Sequence, residues 1–365
     1  MRVDRKKLET ALANVAFAVG GDGFVAIAPI ANGGAGISLA AENGSSWVRN
    51  SVITGGGDGA PTKTIVVDHR LLAAVVRAVS PEPTVELEDD RKSGKLNVRA
   101  GGKTFRLSAA AKDGVGWMPK RPEAGGMHIA ADIAAAARWC SAAAAKDGGA
   151  RRVLTAVHVV ADDRRGCFVE ATNGAVLLRH ALTPENADYG CGEACVPAAF
   201  FGNAPVRDGG VLLESDGRRL SVATDDGIEC GTCLLAQQYP DTDCVIPKEC
   251  GSRAFADADE LRGAVDCAAP MAAKGGFEFP SVTLGIRGNG GITISAGAEG
   301  GDFARVLVDA KCGGVDADIS LNIGYLRTAL RAMSGEVEIG YTDHANPVTL
   351  RCGDALAVVM PIVNK

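Results

Sequence analysis

The 365-residue sequence predicts an α+β fold: antiparallel sheets with short helices segregated to one face, repeated along the chain. Three observations predict it. One helix-then-strands pattern recurs three times, with copies beginning about 125–130 residues apart, and so long a period points to repeated domains. The strand segments alternate apolar and polar residues, as half-buried strands do. Tight turns, several of them Gly-rich, join consecutive strands, which favours antiparallel pairing.

Each copy divides into two halves, so the chain reads as six helix-then-strands blocks. The first block is "DRKKLETALANVAFAV", with Leu8, Leu12 and Val15 at helical spacing, followed by "GISLAAENGSSWVRNSV". The second has a helix from Asp68 to Ser80, with Leu72, Val75 and Val79 on one face, then "TVELEDD" and "KLNVRAGGKTFRL". In "TVELEDD", Val85 and Leu87 face one way and Glu86 and Glu88 the other. The second copy runs through "ADIAAAARWCSAAAAK" and "GCFVEATNGAVLLRHAL", then "CVPAAFFGNAPVRD", "GVLLESDG" and "RLSVATDDGIECGTCLL". The third runs through "DADELRGAVDCAAPMAA" and "GITISAGAEGGDFARVLV", then "ISLNIGYLRTALRAMS", "EVEIGYTD" and "VTLRCGDALAVVMPI". Leu326, Leu330 and Met333 repeat the helical spacing, and Val337 and Ile339 the strand alternation. Gly55-Gly56-Gly57, Gly101-Gly102 and Gly290-Gly291 read as hairpin loops, since neither Gly-rich phosphate-binding motif is present. Pro- and Gly-rich stretches at Met118 to Met127 and Ile246 to Arg253 read as linkers, giving domains at 1–122, 123–249 and 250–365.

Composition narrows the function classes. Only 5% of residues are aromatic, so the cores should be built from Ala, Val, Leu and Ile. No apolar run approaches the ~20 residues of a membrane span. Met1 to Glu9 is too charged for a secretory leader, and a cytoplasmic protein is expected. Eleven cysteines, scattered and odd in number, do not form a secreted disulfide framework. Cys191, Cys195, Cys230 and Cys233 could supply zinc ligands. However, Cys195 opens a predicted helix, and Cys230 and Cys233 point to opposite faces of a predicted strand. Reduced structural thiols are the better reading, and no cofactor is expected. Three carboxylate pairs, Asp162-Asp163, Asp225-Asp226 and Asp241 with Asp243, could serve acid–base or metal chemistry, but each sits in or beside a predicted turn. None of the five histidines has spacing that suggests a ligand set or triad, so an enzyme is not expected.

The net charge of −6 argues weakly against a nucleic-acid partner, but its distribution matters more. The predicted helices carry Arg5, Lys6, Lys7, Arg70, Arg77, Arg138, Lys146, Arg207, Arg262, Lys274, Arg327 and Arg331 against nine acidic residues. Several of those acids sit at helix starts, where capping accounts for them. The helices are thus the basic element of an acidic protein, although ordinary solvated helix faces would also look this way.

Three landmarks carry a resemblance. "ALAVVMPIV" (Ala355 to Val363) resembles the C-terminus of the bacterial sliding clamp family, the β subunit of DNA polymerase III. "VEATNGAVLL" (Val169 to Leu178) resembles its central segment, and "QYPDTDCVIPKE" (Gln238 to Glu249) a third, in the family's order and separations. The resemblance implies three DNA-clamp domains per chain and a head-to-tail homodimer closing into a ring, with helices lining the hole and sheets outside. It implies a processivity factor that encircles double-stranded DNA without reading its sequence. Its other implied partners are the DNA polymerase III core, a clamp loader, and further clamp-binding-motif proteins: repair polymerases, mismatch-repair proteins and ligase. A divergent paralogue acting as a recruitment scaffold is the alternative.

Site residues follow from the same resemblance. It implies a hydrophobic pocket for a short partner peptide at Leu154, Thr172, Gly174, Leu177, Pro240, Val245, Val358, Met360 and Pro361. An apolar groove with a flexible Met suits varied Leu or Phe anchors. Ala175-Val176 stands where the family usually has His-Arg, so the rim should be more apolar. DNA contact is implied at Arg70, Lys146, Arg151 and Arg152, and Asp22 replaces a basic residue common in the family's first loop. The dimer seam is implied at Phe105 and Leu107 facing Pro270 and Met271, with Lys103 and Arg106 set against only Glu299 and Asp302.

Overall fold

The structure, a computed structural model, describes residues 1–21, 23–30, 35–54, 63–90, 93–110, 127–131, 133–149, 151–184, 190–206, 211–274, 279–288, 290–298 and 300–363. Each of the six blocks is a short strand, a helix, then three antiparallel strands. The first comprises β1 (Arg2–Asp4), α1 (Arg5–Val15), β2 (Phe24–Pro29), β3 (Gly36–Glu42) and β4 (Ser46–Ile53). The second is β5 (Ile65–Asp68), α2 (His69–Ala78), β6 (Thr84–Asp90), β7 (Lys95–Ala100) and β8 (Lys103–Ser108). The third is β9 (His128–Ala131), α3 (Ile133–Ser141), β10 (Ala156–Asp162), β11 (Gly166–Thr172) and β12 (Val176–Leu182). The fourth is β13 (Gly192–Pro197), α4 (Ala198–Asn203), β14 (Val211–Ser215), β15 (Arg219–Thr224) and β16 (Ile228–Cys233). The fifth is β17 (Ser252–Asp257), α5 (Ala258–Ala268), β18 (Ser281–Arg287), β19 (Gly291–Gly297) and β20 (Phe303–Val308), with an added β21 (Ala310–Gly313). The sixth is β22 (Ala317–Asn322), α6 (Ile323–Leu330), β23 (Glu336–Tyr341), β24 (Val348–Cys352) and β25 (Ala355–Val359).

Among the described residues, the lead strand and the helix meet at an Asp or Asn in four blocks. Asp4, Asp68, Asp257 and Asn322 hold extended backbone, and their side chains accept hydrogen bonds from the first free helix amides. Each cap stops a strand and starts a helix at one residue, satisfying amides that the helix itself cannot. The fourth block has Pro197 at this position, with no side-chain cap, and α4 is correspondingly short. Cys195 lies in β13 rather than at a helix start as its sequence suggests, because the Pro-Ala boundary delays the helix to Ala198.

The chain divides into two compact units. One is Met1–Ala134 with Pro184–Leu234. It holds a sheet in the order β1-β6-β7-β8 and a longer one in the order β5-β2-β3-β4-β16-β15-β14-β9. The other is Ala135–Thr183 with Leu235–Lys365. It holds a sheet in the order β20-β19-β18-β22 and a long sheet running β10-β11-β12-β25-β24-β23-β17-β21. Lead strands are exchanged reciprocally: β1 joins the sheet of the second block and β5 that of the first. Likewise β17 joins β23 and β22 joins β18, while β9 joins β14.

Both long sheets contain a joint between blocks far apart in sequence. In the first unit β4 pairs antiparallel with β16, and in the second β12 pairs with β25. The same turn precedes each joint. Asn43 Oδ1 accepts from the Ser45 and Ser46 amides, and Asn173 Oδ1 from those of Ala175 and Val176. The following Gly44 and Gly174 have φ of +86° and +92°, which a residue with a Cβ adopts only with strain. These two Asn-Gly turns fix the register of the strand that makes each joint.

The cores are aliphatic, as the composition predicts, with Leu8, Leu12, Leu39, Leu72 and Ile129 fully buried. All eleven cysteines are free thiols. Burial pushes the Cys140 and Cys230 thiols well up, which makes them inert.

Candidate functional site

The nine residues assigned to the peptide pocket all lie in the second unit, and the β12–β25 joint organises most of them. Leu177 on β12 stands opposite Val358 on β25, and Thr172 at the end of β11 stands opposite Leu177. Leu177, Val358 and Leu356 form one buried apolar cluster, with Ile246 packed against it. The Met360 amide donates to the Ala175 carbonyl at 2.9 Å, extending the joint past the end of β25. Pro361 makes an isolated bridge to Leu321. Leu154 is buried in the short 3-10 turn Arg152–Thr155 that feeds β10.

Exposure divides the set usefully. Leu177 and Val358 form a buried floor, whereas Met360 is 42% exposed and Val245 50% exposed. Gly174 and Pro240 are also exposed. An apolar floor with exposed Met, Val and Pro at its margin has the makings of a docking groove for an apolar side chain. Ala175 is half-buried and Val176 buried at the start of β12.

The segment bearing Pro240, Val245 and Ile246 has no regular secondary structure and is held by a polar network. The register places His158, Glu170 and Arg179 side by side on β10, β11 and β12. His158 Nδ1 lies 2.9 Å from Glu170 Oε1, and Arg179 Nε donates to Oε2 at 2.9 Å. The Thr242 hydroxyl lies 2.8 Å from both carboxylate oxygens and also accepts from Arg179 Nη2. Asp243 pairs with Arg179 at 2.7 Å and with Arg165 at 3.3 Å. The Tyr239 ring stacks on His158 with centroids 4.5 Å apart, and its hydroxyl accepts from the Thr172 amide. Glu170 is 0% exposed. Burial alone pushes its carboxyl up, but the His158 hydrogen bond and the Arg179 charge pull harder, and the balance lies below the usual carboxylate range.

Sequence reading missed this network, although its signal was present. The Asn173-Gly174 turn pairs Thr172 with Leu177, and counting outward from it sets Glu170 opposite Arg179. A charged pair on the floor side of a hairpin is the clue. A second omission is β20, an edge strand with Leu307 65% exposed and Phe303 37% exposed. Exposed apolar residues on an unpaired edge call for a partner strand.

The proposed DNA-contact residues are all exposed. Arg70 lies on α2, in the first unit. Lys146, Arg151 and Arg152 lie together on the connection between α3 and β10, in the second. Lys146 is thus off the helix on which its sequence places it, because α3 ends at Ser141. The helix charge count also changes. Arg5 pairs with Glu9, Arg262 with Asp259, and Arg327 with Asp266. Lys6, Lys7, Arg70, Arg77 and Arg331 are exposed, and Arg207 lies outside the described residues.

For the proposed seam, Phe105 and Leu107 share one face of β8, the edge strand of its sheet. Leu107 is buried and Phe105 half-buried, with Lys103 and Arg106 exposed. Pro270 is exposed and Met271 half-buried in the 3-10 segment Ala269–Lys274 after α5. Glu299 and Asp22 lie outside the described residues.

No protein-family model matches the sequence. It is 21% identical over 312 residues to the Beta sliding clamp of Bacillus subtilis, covering 82% of this chain and 79% of that protein. The crystal structure of the DNA polymerase sliding clamp from Bacillus subtilis superposes with a TM-score of 0.85 at 18% identity, covering 100% of this chain and 99% of the other. The beta subunit from DNA polymerase of Streptococcus pyogenes gives 0.84 at 19% identity with the same coverage. The DNA polymerase sliding clamp from Pseudomonas aeruginosa, solved with a ligand, gives 0.82 at 20%, again with the same coverage. The chain thus shares its fold from end to end with solved DNA polymerase sliding clamps and is similar in sequence to one of them over four-fifths of its length.

Proposed function

We propose that this protein is a DNA sliding clamp: a non-catalytic processivity factor that encircles duplex DNA and tethers the replicative polymerase and other DNA-processing proteins. The observation that carries the reading is full-length agreement with the sliding clamps, joined to an apolar groove at the β12–β25 joint. The family resemblance supplies the partners: double-stranded DNA, the DNA polymerase III core, a clamp loader, repair polymerases, mismatch-repair proteins and ligase. A protein of this role works in the cytoplasm.

The functional unit is a head-to-tail homodimer of chains with three domains each, at 1–122, 123–249 and 250–365. Reciprocal exchange of lead strands between the first and second blocks, and between the fifth and sixth, supports the pairing of blocks into domains. The seam joins Phe105 and Leu107 on the β8 edge to Pro270 and Met271 beside the exposed apolar β20 edge of the partner. Arg70, Lys146, Arg151 and Arg152 contact phosphates, without a preferred register because exposed cations read no base edges. Topology rather than affinity holds the ring on DNA. The peptide groove takes a Leu or Phe anchor on Leu177 and Val358, with Met360 adapting to its shape.

Loading on nicked circular DNA tests this directly. The protein should stay with the circle through gel filtration and leave once the DNA is linearised. Retention on linear DNA equal to that on circles, or none on either, would refute the clamp reading.

A further inference from the structure

The groove has one rigid wall and one wall of irregular chain. The rigid wall is the β12–β25 joint. The irregular wall is 239–246, which contributes Pro240, Val245 and Ile246 and has few ladder hydrogen bonds of its own. Its anchorage converges on one group. Thr242 contacts both oxygens of Glu170, and Asp243 is held by Arg179, which Glu170 itself orients. Tyr239 stacks on His158, whose ring nitrogen lies against the same carboxylate. Without Glu170, three consecutive holding points would lose their common centre.

We propose that Glu170 is a positioning residue of the peptide groove, fixing the 239–246 wall against the β10–β12 strands so that the groove is preformed before a partner arrives. This inference rests on the groove reading given above. The geometry favours it over a purely structural role. Glu170 lies two residues from Thr172 on the same strand, and the Thr172 amide is itself bonded to Tyr239. The network therefore spans floor and wall of one site. A preformed wall removes ordering cost from the binding step, so the network's contribution should appear in peptide affinity. Arg179 and Arg165 also stack against the Phe168 ring, at 4.3 and 5.2 Å, which holds both guanidinium groups to the strand.

The test measures affinity and fold separately. The probe is a fluorescein-labelled pentapeptide ending Leu-Phe, followed by fluorescence anisotropy with the full-length protein. Glu170→Gln removes the charge at the centre, and Thr242→Val removes only the hydroxyl that ties the wall to it. Each should weaken the peptide about tenfold, the scale of a lost hydrogen bond to a charged group. Thr242→Ser keeps the hydroxyl and should bind like the wild type. Ser252→Ala, which removes the hydroxyl that accepts a partly buried hydrogen bond from the Val315 amide, controls for general destabilisation and should leave affinity unchanged. Hydrogen exchange should quicken at the Thr172 and Val245 amides in Thr242→Val.

If the wild type binds and Met360→Glu abolishes binding, the groove stands. Unchanged affinity in Thr242→Val would then overturn the positioning role alone. Equal weakening by Thr242→Val and Ser252→Ala would overturn it too, since the effect would be general. A wild type that does not bind the probe would overturn both readings. If Glu170→Gln fails to fold, Thr242→Val decides the matter by itself.

Discussion

A carboxylate with no exposure is costly unless every lone pair is engaged, and Glu170 meets that condition through His158, Arg179 and Thr242. Its pH signature follows. Glu170 and Asp243 both lie below the ordinary carboxylate range: burial raises each, and the basic partners lower each by more. A carboxyl depressed in the folded state contributes stability that is fully present above its unfolded value, about 4, and is lost as pH falls through the folded value. Melting temperature should therefore hold steady from pH 7 to about 5 and drop steeply below about pH 4. In Glu170→Leu the acid limb should be shallower. Calorimetry across that range checks it, and a variant with the wild-type acid slope would contradict the assignment.

At the scale of elements, four blocks are capped by a residue shared by a strand end and a helix start. Asp257 accepts from both the Asp259 and Glu260 amides, so Asp257→Ala should cost about 1 kcal/mol, measured by urea unfolding. At the joint, Leu177→Ala should cost about 2–5 kcal/mol, because it empties a fully buried position in the cluster with Leu356 and Val358. Much at this scale was legible in the sequence. "TVELEDD" and "EVEIGYTD" alternate cleanly, and β6 and β23 lie where that alternation puts them. Lead strands of three or four residues were not, since so short a segment has no periodicity to read. The Leu177–Val358 pairing under the proposed groove was visible only through family resemblance. Leu177 and Val358 are about 180 residues apart, and no local pattern joins them. The helix charges misled in part, because Arg262 and Arg327 are spent on neighbouring acids.

For the whole molecule, the proposed ring depends on how firmly two copies would close. In the proposed seam of Phe105 and Leu107 facing Pro270 and Met271, Lys103 and Arg106 are exposed on β8, and Phe303 and Leu307 are exposed apolar residues on the β20 edge. A seam dominated by apolar contact is insensitive to screening, whereas exposed ion pairs weaken with salt. Sedimentation equilibrium should give a dimer whose dissociation constant changes by less than about threefold between 0.05 and 1 M NaCl. A sharp conversion to monomer with salt would mean that charge holds the ring. Contact with DNA should behave oppositely. Reversing Arg151 and Arg152 together should flatten the salt dependence of loading, since each phosphate contact contributes roughly one unit to that slope.

The β12–β25 joint has a consequence for synthesis. Half of the proposed groove lies on β25, while its complement on β12 is made about 180 residues earlier. A nascent chain halted short of Val358 would expose Leu177 without Val358 to cover it. Such a fragment would offer chaperones a bare apolar strand. On the proposed reading, the groove is therefore assembled only after β25 has been made.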